Sequence, residues 1–137
     1  MVARSLTLVL SLLLAACATV DPRLLDTEQS QVQLRSIQSR AFDTTDKEQT
    51  LRAVIATLQD LAFVVDKADL KLGTVSATKL DGYLLRMTVS VRPRGQGEML
   101  VRANAQFNDY PVTDPKPYQS FFIALERAMF LSAHAVD

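Results

Sequence analysis

Two stretches of strict alternation constrain this chain more than any other feature. In Tyr83–Arg92 the odd positions are Tyr83, Leu85, Met87, Val89 and Val91, and the even ones are Leu84, Arg86, Thr88, Ser90 and Arg92. In Glu98–Asn108 the odd positions Met99, Val101, Ala103, Ala105 and Phe107 are apolar, against mostly polar even ones. Successive strand side chains point to opposite faces, so period two sustained over about ten residues predicts a strand with one buried face. Two such strands joined by Pro93-Arg94-Gly95-Gln96-Gly97 read as an antiparallel hairpin. Placing Arg92 opposite Glu98 sets Val91 against Met99, Val89 against Val101, Met87 against Ala103 and Leu85 against Ala105. A slip by one residue would mismatch the two faces.

The remaining elements are expected around this hairpin. Thr45-x-x-Glu48 has the form of a capping box, and Asp46 adds negative charge where a helix dipole favours it. Leu51, Val54, Ile55, Leu58 and Leu61 then recur at helical spacing, opposite Lys47, Arg52, Gln59 and Asp60, which predicts a helix over about 46–62. Phe63-Val64-Val65 is expected to start a short strand, with Asp66 to Lys71 as a turn. Thr74–Lys79 alternates, and Asp81-Gly82 signals a hairpin.

Asp114-Pro115 marks a second helix start, with Asp114 as N-cap. Tyr118, Phe121, Phe122, Leu125, Ala128, Met129 and Ser132 carry that helix to about residue 133, with Phe130 and Leu131 beside the stripe. Upstream, Leu34–Asp43 reads as a first strand with a bulge, and residues 18–33, with no sustained period and a turn signal at Asp21-Pro22, read as a tether. The expected fold is α+β: a two-layer sandwich, with an antiparallel sheet of four to five strands and two helices packed on one face.

The first residues, MVARSLTLVLSLLLAAC, have the layout of a secretory signal peptide. Arg4 supplies the positive region, Leu6–Leu14 the apolar core, and Ala15-Ala16 the small residues of a cleavage site. The run is shorter than the ~20 residues that span a bilayer. It ends on Cys17, the single cysteine of the chain, so no internal disulfide is open to it.

Leu14-Ala15-Ala16-Cys17 resembles the lipobox of bacterial lipoproteins. That resemblance implies cleavage before Cys17, diacylation of its sulfur and usually acylation of the new N-terminus. Two or three acyl chains anchor a protein where one would not. Ala18, in place of the Asp that retains enteric-type lipoproteins in the inner membrane, implies outer-membrane sorting, facing the periplasm. The expected organisation is a signal peptide over 1–16, a lipidated tether over 17–33 and one α+β domain over 34–137.

Arg40-Ala41-Phe42-Asp43-Thr44 with Thr57-Leu58-Gln59-Asp60-Leu61-Ala62-Phe63 resembles a pattern of small proteobacterial envelope lipoproteins. In that pattern Gly often stands where this chain has Ala62, and Ala is tolerable there only if the helix ends without a left-handed cap. The outline also resembles the accessory lipoprotein of lipopolysaccharide transport and the lipoprotein modules of the barrel-assembly machinery. These resemblances imply location and fold, not an activity.

No nucleophile elbow, phosphate-binding loop or metal-spaced cluster is present, so neither enzyme chemistry nor a cofactor or metal is expected. His134 is the single histidine, near a terminus that holds a catalytic partner poorly. Asp60, Asp66 and Asp69 are scattered over a helix end and a loop, and read as solvated surface. With 15 basic and 15 acidic residues the chain lacks the basic excess of a nucleic-acid binder.

One polar group stands out. Arg86, Arg92, Arg94 and Arg102 gather on the polar strand face, as candidate contacts for an anionic ligand such as lipid A phosphate, or for an acidic partner. Ordinary strand decoration, with Glu98 neutralising Arg92, is the alternative. The expected function is that of a binding or scaffold subunit at the membrane, with an envelope protein as partner. The alternative is a lipid or lipopolysaccharide binder, which requires a cavity between sheet and helices or a basic rim. Phe121, Phe122, Leu85 and Val89, if densely packed, count against the cavity.

Overall fold

The computed structural model describes the backbone of residues 22–80 and 82–134, and the side chains of 30–80 and 82–130. Cys17, the leader and the side chain of His134 lie outside the described residues. The element order is α1 (Pro22–Gln38), β1 (Ser39–Phe42), α2 (Lys47–Asp60), β2 (Val64–Asp69), β3 (Thr74–Leu80), β4 (Leu84–Arg94), β5 (Glu98–Phe107), β6 (Tyr110–Pro111) and α3 (Pro115–His134). The chain divides between Val32 and Gln33. On the N-terminal side the described residues belong to α1.

The class is α+β, with an antiparallel sheet in the order β1-β5-β4-β3-β2 and β6 paired to β5. Among the described residues there are six strands and three helices, where four to five and two were expected. The additional helix is α1, which replaces both the irregular tether from Pro22 onward and the first part of the expected strand. Its Gln, Leu, Glu and Arg are good helix formers, and nothing after Pro22 breaks the run. Its apolar residues are too sparse to announce a stripe. The expected Leu34–Asp43 strand is reduced to Ser39–Phe42.

The β4–β5 hairpin has the expected faces but a different register. Arg94 lies opposite Glu98, Val91 opposite Val101, Val89 opposite Ala103, Met87 opposite Ala105 and Leu85 opposite Phe107. This is a slide of two residues from the expected pairing. Pleat parity forbids a slip of one and is indifferent to a slip of two. The turn decides: β4 runs through Pro93 to Arg94, leaving Gly95-Gln96-Gly97 as the loop, with Gly95 at φ +58°. A second hairpin follows, in which Asn108 (φ +43°) and Asp109 (φ +76°) form a two-residue turn into β6. Positive φ at both central residues is the type I′ condition, which Asn and Asp tolerate.

Leu85, Met87, Val89 and Val91 of β4 and Met99, Val101, Ala103 and Ala105 of β5 are buried, as are Val75 and Ala77 of β3, while Phe107 is half-buried and Pro93 exposed. They form one core with Leu51, Val54 and Leu58 of α2 and Tyr118, Phe121, Phe122 and Leu125 of α3. Burial of side chains this size contributes about 1.5–3 kcal/mol each.

Helix α2 starts one residue later than the capping box placed it. Asp46 is the N-cap, its carboxylate accepting the Gln49 N–H at 2.9 Å. At the other end the helix does close with a left-handed cap, contrary to the sequence expectation. Ala62 has φ +65°, its N–H reaches Gln59 O at 2.9 Å, and the Phe63 N–H reaches Leu58 O at 2.9 Å. Those two bonds make a Schellman motif, here with Ala in the position that favours Gly. The cap turns the chain so that Phe63 is buried and β2 begins at Val64. Strand β2 then continues to Asp69, through the stretch expected to be a turn, with its pairing to β3 interrupted by a bulge between Val65 and Lys67.

Candidate functional site

The polar face of the sheet carries a depression of about 310 Å³ lined by Arg86, Thr88, Ser90, Arg102, Asn104 and Gln106. These six are three directly opposed pairs: Arg86 with Gln106, Thr88 with Asn104, and Ser90 with Arg102. The pleat puts them there. All but Gln106, which follows buried Ala105 and precedes half-buried Phe107, sit between two buried neighbours, so the burial of Leu85, Met87, Val89 and Val91 and of Val101, Ala103 and Ala105 forces the even positions outward. The arginines occupy opposite corners of the grid. Their rungs are four residues apart along the strands, or about 13 Å.

Every residue lining the depression can donate a hydrogen bond. The guanidiniums have five N–H donors each, the two amides two each, and the hydroxyls one donor and two acceptor lone pairs each. The nearest acid to Arg86 is Asp109, with Nη1 to Oδ1 at 3.9 Å and an aspartate side chain 90% exposed. A solvent-exposed pair of that kind contributes little. Arg102 makes a long contact at 3.5 Å from Nη2 to Gln38 Oε1. The grid is therefore cationic, rich in donors and open to solvent.

Two of the four arginines singled out in the sequence meet here and two do not. Arg92 lies opposite Leu100, and Arg94 lies opposite Glu98 beside the Gly95–Gly97 turn. Glu98 pairs with Arg94 at 3.8 Å, not with Arg92 as expected, because of the two-residue slide in register. Thr88, Ser90, Asn104 and Gln106 complete the site, and the signal that places them there is the strand parity they share with Arg86 and Arg102.

Gln38 ties the site to the edge of the sheet. It is buried, and its Nε2 donates to the Tyr118 hydroxyl at 3.3 Å. Tyr118 Oη also accepts the Ala105 N–H at 3.2 Å and donates to Val112 O at 2.8 Å. Strand β1 covers β5 over 99–102 and β6 covers 106–107, so Ala105 lies in the gap between them. Tyr118 closes that gap. At the far side of the sheet, β2 is a terminal strand blunted by its bulge and by Asp66, Lys67 and Asp69. Bulges and charges are established ways of discouraging edge-to-edge pairing.

Two of the three scattered aspartates, Asp66 and Asp69, have local partners. Asp66 Oδ2 accepts the Thr78 hydroxyl at 2.6 Å, and Asp69 Oδ1 accepts the Leu72 N–H at 2.9 Å. Among the described residues no three His, Cys, Asp or Glu side chains converge as a metal site, and no helix is long and apolar enough to cross a membrane.

No protein-family model matches the chain, and no curated protein matches it either.

Proposed function

We propose that this protein is a lipid-anchored lipoprotein of the outer membrane, facing the periplasm, and that it works as a non-enzymatic binding subunit of an envelope assembly. Residues 1–16 act as the signal peptide and Cys17 carries the lipid. Residues 17–33 tether the domain, and helix α1 begins within that tether. In this reading α2 and α3 form one layer over the apolar face of the sheet, as in a two-layer sandwich, and the opposite face does the binding. The observation that carries the proposal is the donor-rich grid of Arg86, Thr88, Ser90, Arg102, Asn104 and Gln106 on that opposite face. The blunted β2 edge and the sealed gap at Ala105 favour a face over a strand edge as the contact surface.

A second reading, an accessory lipid or lipopolysaccharide binder, draws support from the same grid. Two arginines on rungs about 13 Å apart along the strands, with hydroxyls and amides between them, suit phosphates spaced along a sugar backbone. An interior lipid pocket is disfavoured, because Phe121, Phe122, Leu85 and Val89 are all buried in the core.

The decisive comparison is wild type against Arg86→Ala/Arg102→Ala, both in membranes. Envelope proteins co-purifying with wild type and lost from the double variant support the first reading. Salt-sensitive binding to lipopolysaccharide vesicles, lost in the same variant, supports the second. Equal behaviour of the two proteins in both assays removes the grid from the function. Separately, Cys17→Ser is expected to leave the protein unprocessed or released from membranes, and unaltered fractionation of that variant would end the anchor proposal.

A further inference from the structure

Helix α3 turns one stripe away from the core, and that stripe is complementary to itself. Ile123, Glu126, Arg127 and Phe130 line a shallow groove of about 570 Å³ on the side of α3 away from Phe121 and Leu125. Ile123 is 51% exposed and Phe130 63% exposed, high values for side chains this apolar. At about 100° per residue, Ile123 and Phe130 fall nearly in line two turns apart. Glu126 and Arg127 fall roughly 50° to either side of that line. Adjacent residues on a helix do not face each other, so this acid and base cannot pair within the helix. The ion pairs among the described residues are Arg52–Glu48, Arg86–Asp109 and Arg94–Glu98, and neither Glu126 nor Arg127 takes part.

We infer that the partner of this stripe is a second copy of the same chain, docked through α3 in parallel. A two-fold axis along the helix direction exchanges the left and right flanks while preserving height. It brings Glu126 of one copy against Arg127 of the other, twice, and sets Ile123 against Ile123 and Phe130 against Phe130. Each patch then contacts its own equivalent, as an isologous interface requires. The antiparallel alternative keeps each flank on its own side, setting Glu126 against Glu126 and Arg127 against Arg127. Like-charge contact disfavours it. The charge arrangement therefore selects both the occupant and its direction. Two helical turns cover much less than the ~800 Å² per partner of a stable complex, so the dimer is weak and depends on concentration. This inference is independent of the binding grid on the sheet and of the lipid anchor.

Sedimentation equilibrium of the full chain in density-matched detergent tests it. Wild type is expected to show a concentration-dependent monomer–dimer equilibrium. Glu126→Arg alone and Arg127→Glu alone are each expected to weaken it by about tenfold or more, since either creates two like-charge contacts. The two single variants mixed together, and the double variant Glu126→Arg/Arg127→Glu, are expected to associate as wild type does. Recovery in the double variant also excludes misfolding as the cause of the single-variant losses. Ile123→Cys is expected to form a disulfide-linked dimer on mild oxidation beyond any formed by the parent chain. A monomer at all concentrations overturns the inference, as does a dimer indifferent to the charge reversals. A dimer that Ile123→Cys fails to cross-link overturns the parallel arrangement.

Discussion

The Tyr118 hydroxyl accepts the backbone N–H of Ala105 at 3.2 Å, across the one stretch of the β5 edge that neither β1 nor β6 covers. A side chain from α3 thereby satisfies a buried backbone donor that the sheet leaves over. The same oxygen donates to Val112 O, which fixes the chain as it leaves β6 for α3. Tyr118→Phe retains the ring and removes the polar atom, so the Ala105 donor and the Val112 acceptor both lose a partner. The expected loss is about 1–3 kcal/mol of unfolding free energy in urea, the cost of a buried unsatisfied group. Amide exchange at Ala105 is expected to accelerate beyond that of its neighbours. An unchanged midpoint with unchanged exchange at Ala105 would contradict the sealing role.

Ala62 holds a conformation that costs an L-residue with a Cβ about 1–2 kcal/mol. Its φ of +65° and the two Schellman bonds leave the backbone no freedom to relax. Ala62→Gly is therefore expected to raise stability by about 1 kcal/mol, less the greater entropy of glycine in the unfolded chain. A thermal melt decides the matter, and a lower Tm for the glycine variant would refute the strain assigned to Ala62.

Gly73 is needed where it stands. It has φ +71° and is buried, and its carbonyl accepts the Val91 N–H at 2.8 Å. A Cβ there would overlap Val91 O and lie 2.6 Å from Lys47 Cε. Lys47 in turn donates to Lys71 O at 3.0 Å, bracing the same turn. Gly73→Ala is expected to cost about 1–3 kcal/mol, the range for a strained backbone conformation. Shortening the lysine with Lys47→Ala should fail to rescue it, since the backbone oxygen cannot move aside. Full rescue in a denaturation experiment would locate the problem in the lysine instead.

Thr57 is 1% exposed, and its hydroxyl has no hydrogen-bond partner among the described residues. Valine has nearly the same shape and no polar atom to desolvate. Thr57→Val is expected to stabilise the fold by about 1 kcal/mol, at the low end of the cost of a buried unsatisfied group. A destabilised variant would mean that the hydroxyl finds a partner in solution.

Much of the fold is legible in the sequence for one reason: burial repeats with the period of the element. The odd positions from Leu85 to Val91 and from Met99 to Ala105, the stripe on α2 and the stripe on α3 from Tyr118 to Leu125 follow their expected pattern, whereas Tyr83, expected on the buried face, lies outside β4 and is exposed. Asp114 caps α3 as anticipated, accepting the Lys116 N–H at 3.0 Å. What escaped was structure without a periodic signal. Helix α1 has too few apolar residues to show a stripe, and β6 is two residues long and includes a proline. The Ala62 cap looked unavailable because it lacks glycine.

The binding grid was half legible. Parity alone put Arg86 and Arg102 on the same face as Thr88, Ser90, Asn104 and Gln106. Which of these stand side by side depends on register, and a slide of two residues changes every neighbour without changing any face. That is why Glu98 was assigned to Arg92 and belongs to Arg94.

By itself the sequence determined which face of each periodic element is buried, because the hydrophobic effect acts on a side chain through its position in a local period. Tertiary structure alone decided which residues meet: the two-residue slide of β5 against β4, the closure of the Ala105 gap by Tyr118, and the convergence of six polar side chains into one depression. Those outcomes depend on turn geometry and on packing between elements far apart in the chain, and no local pattern encodes either.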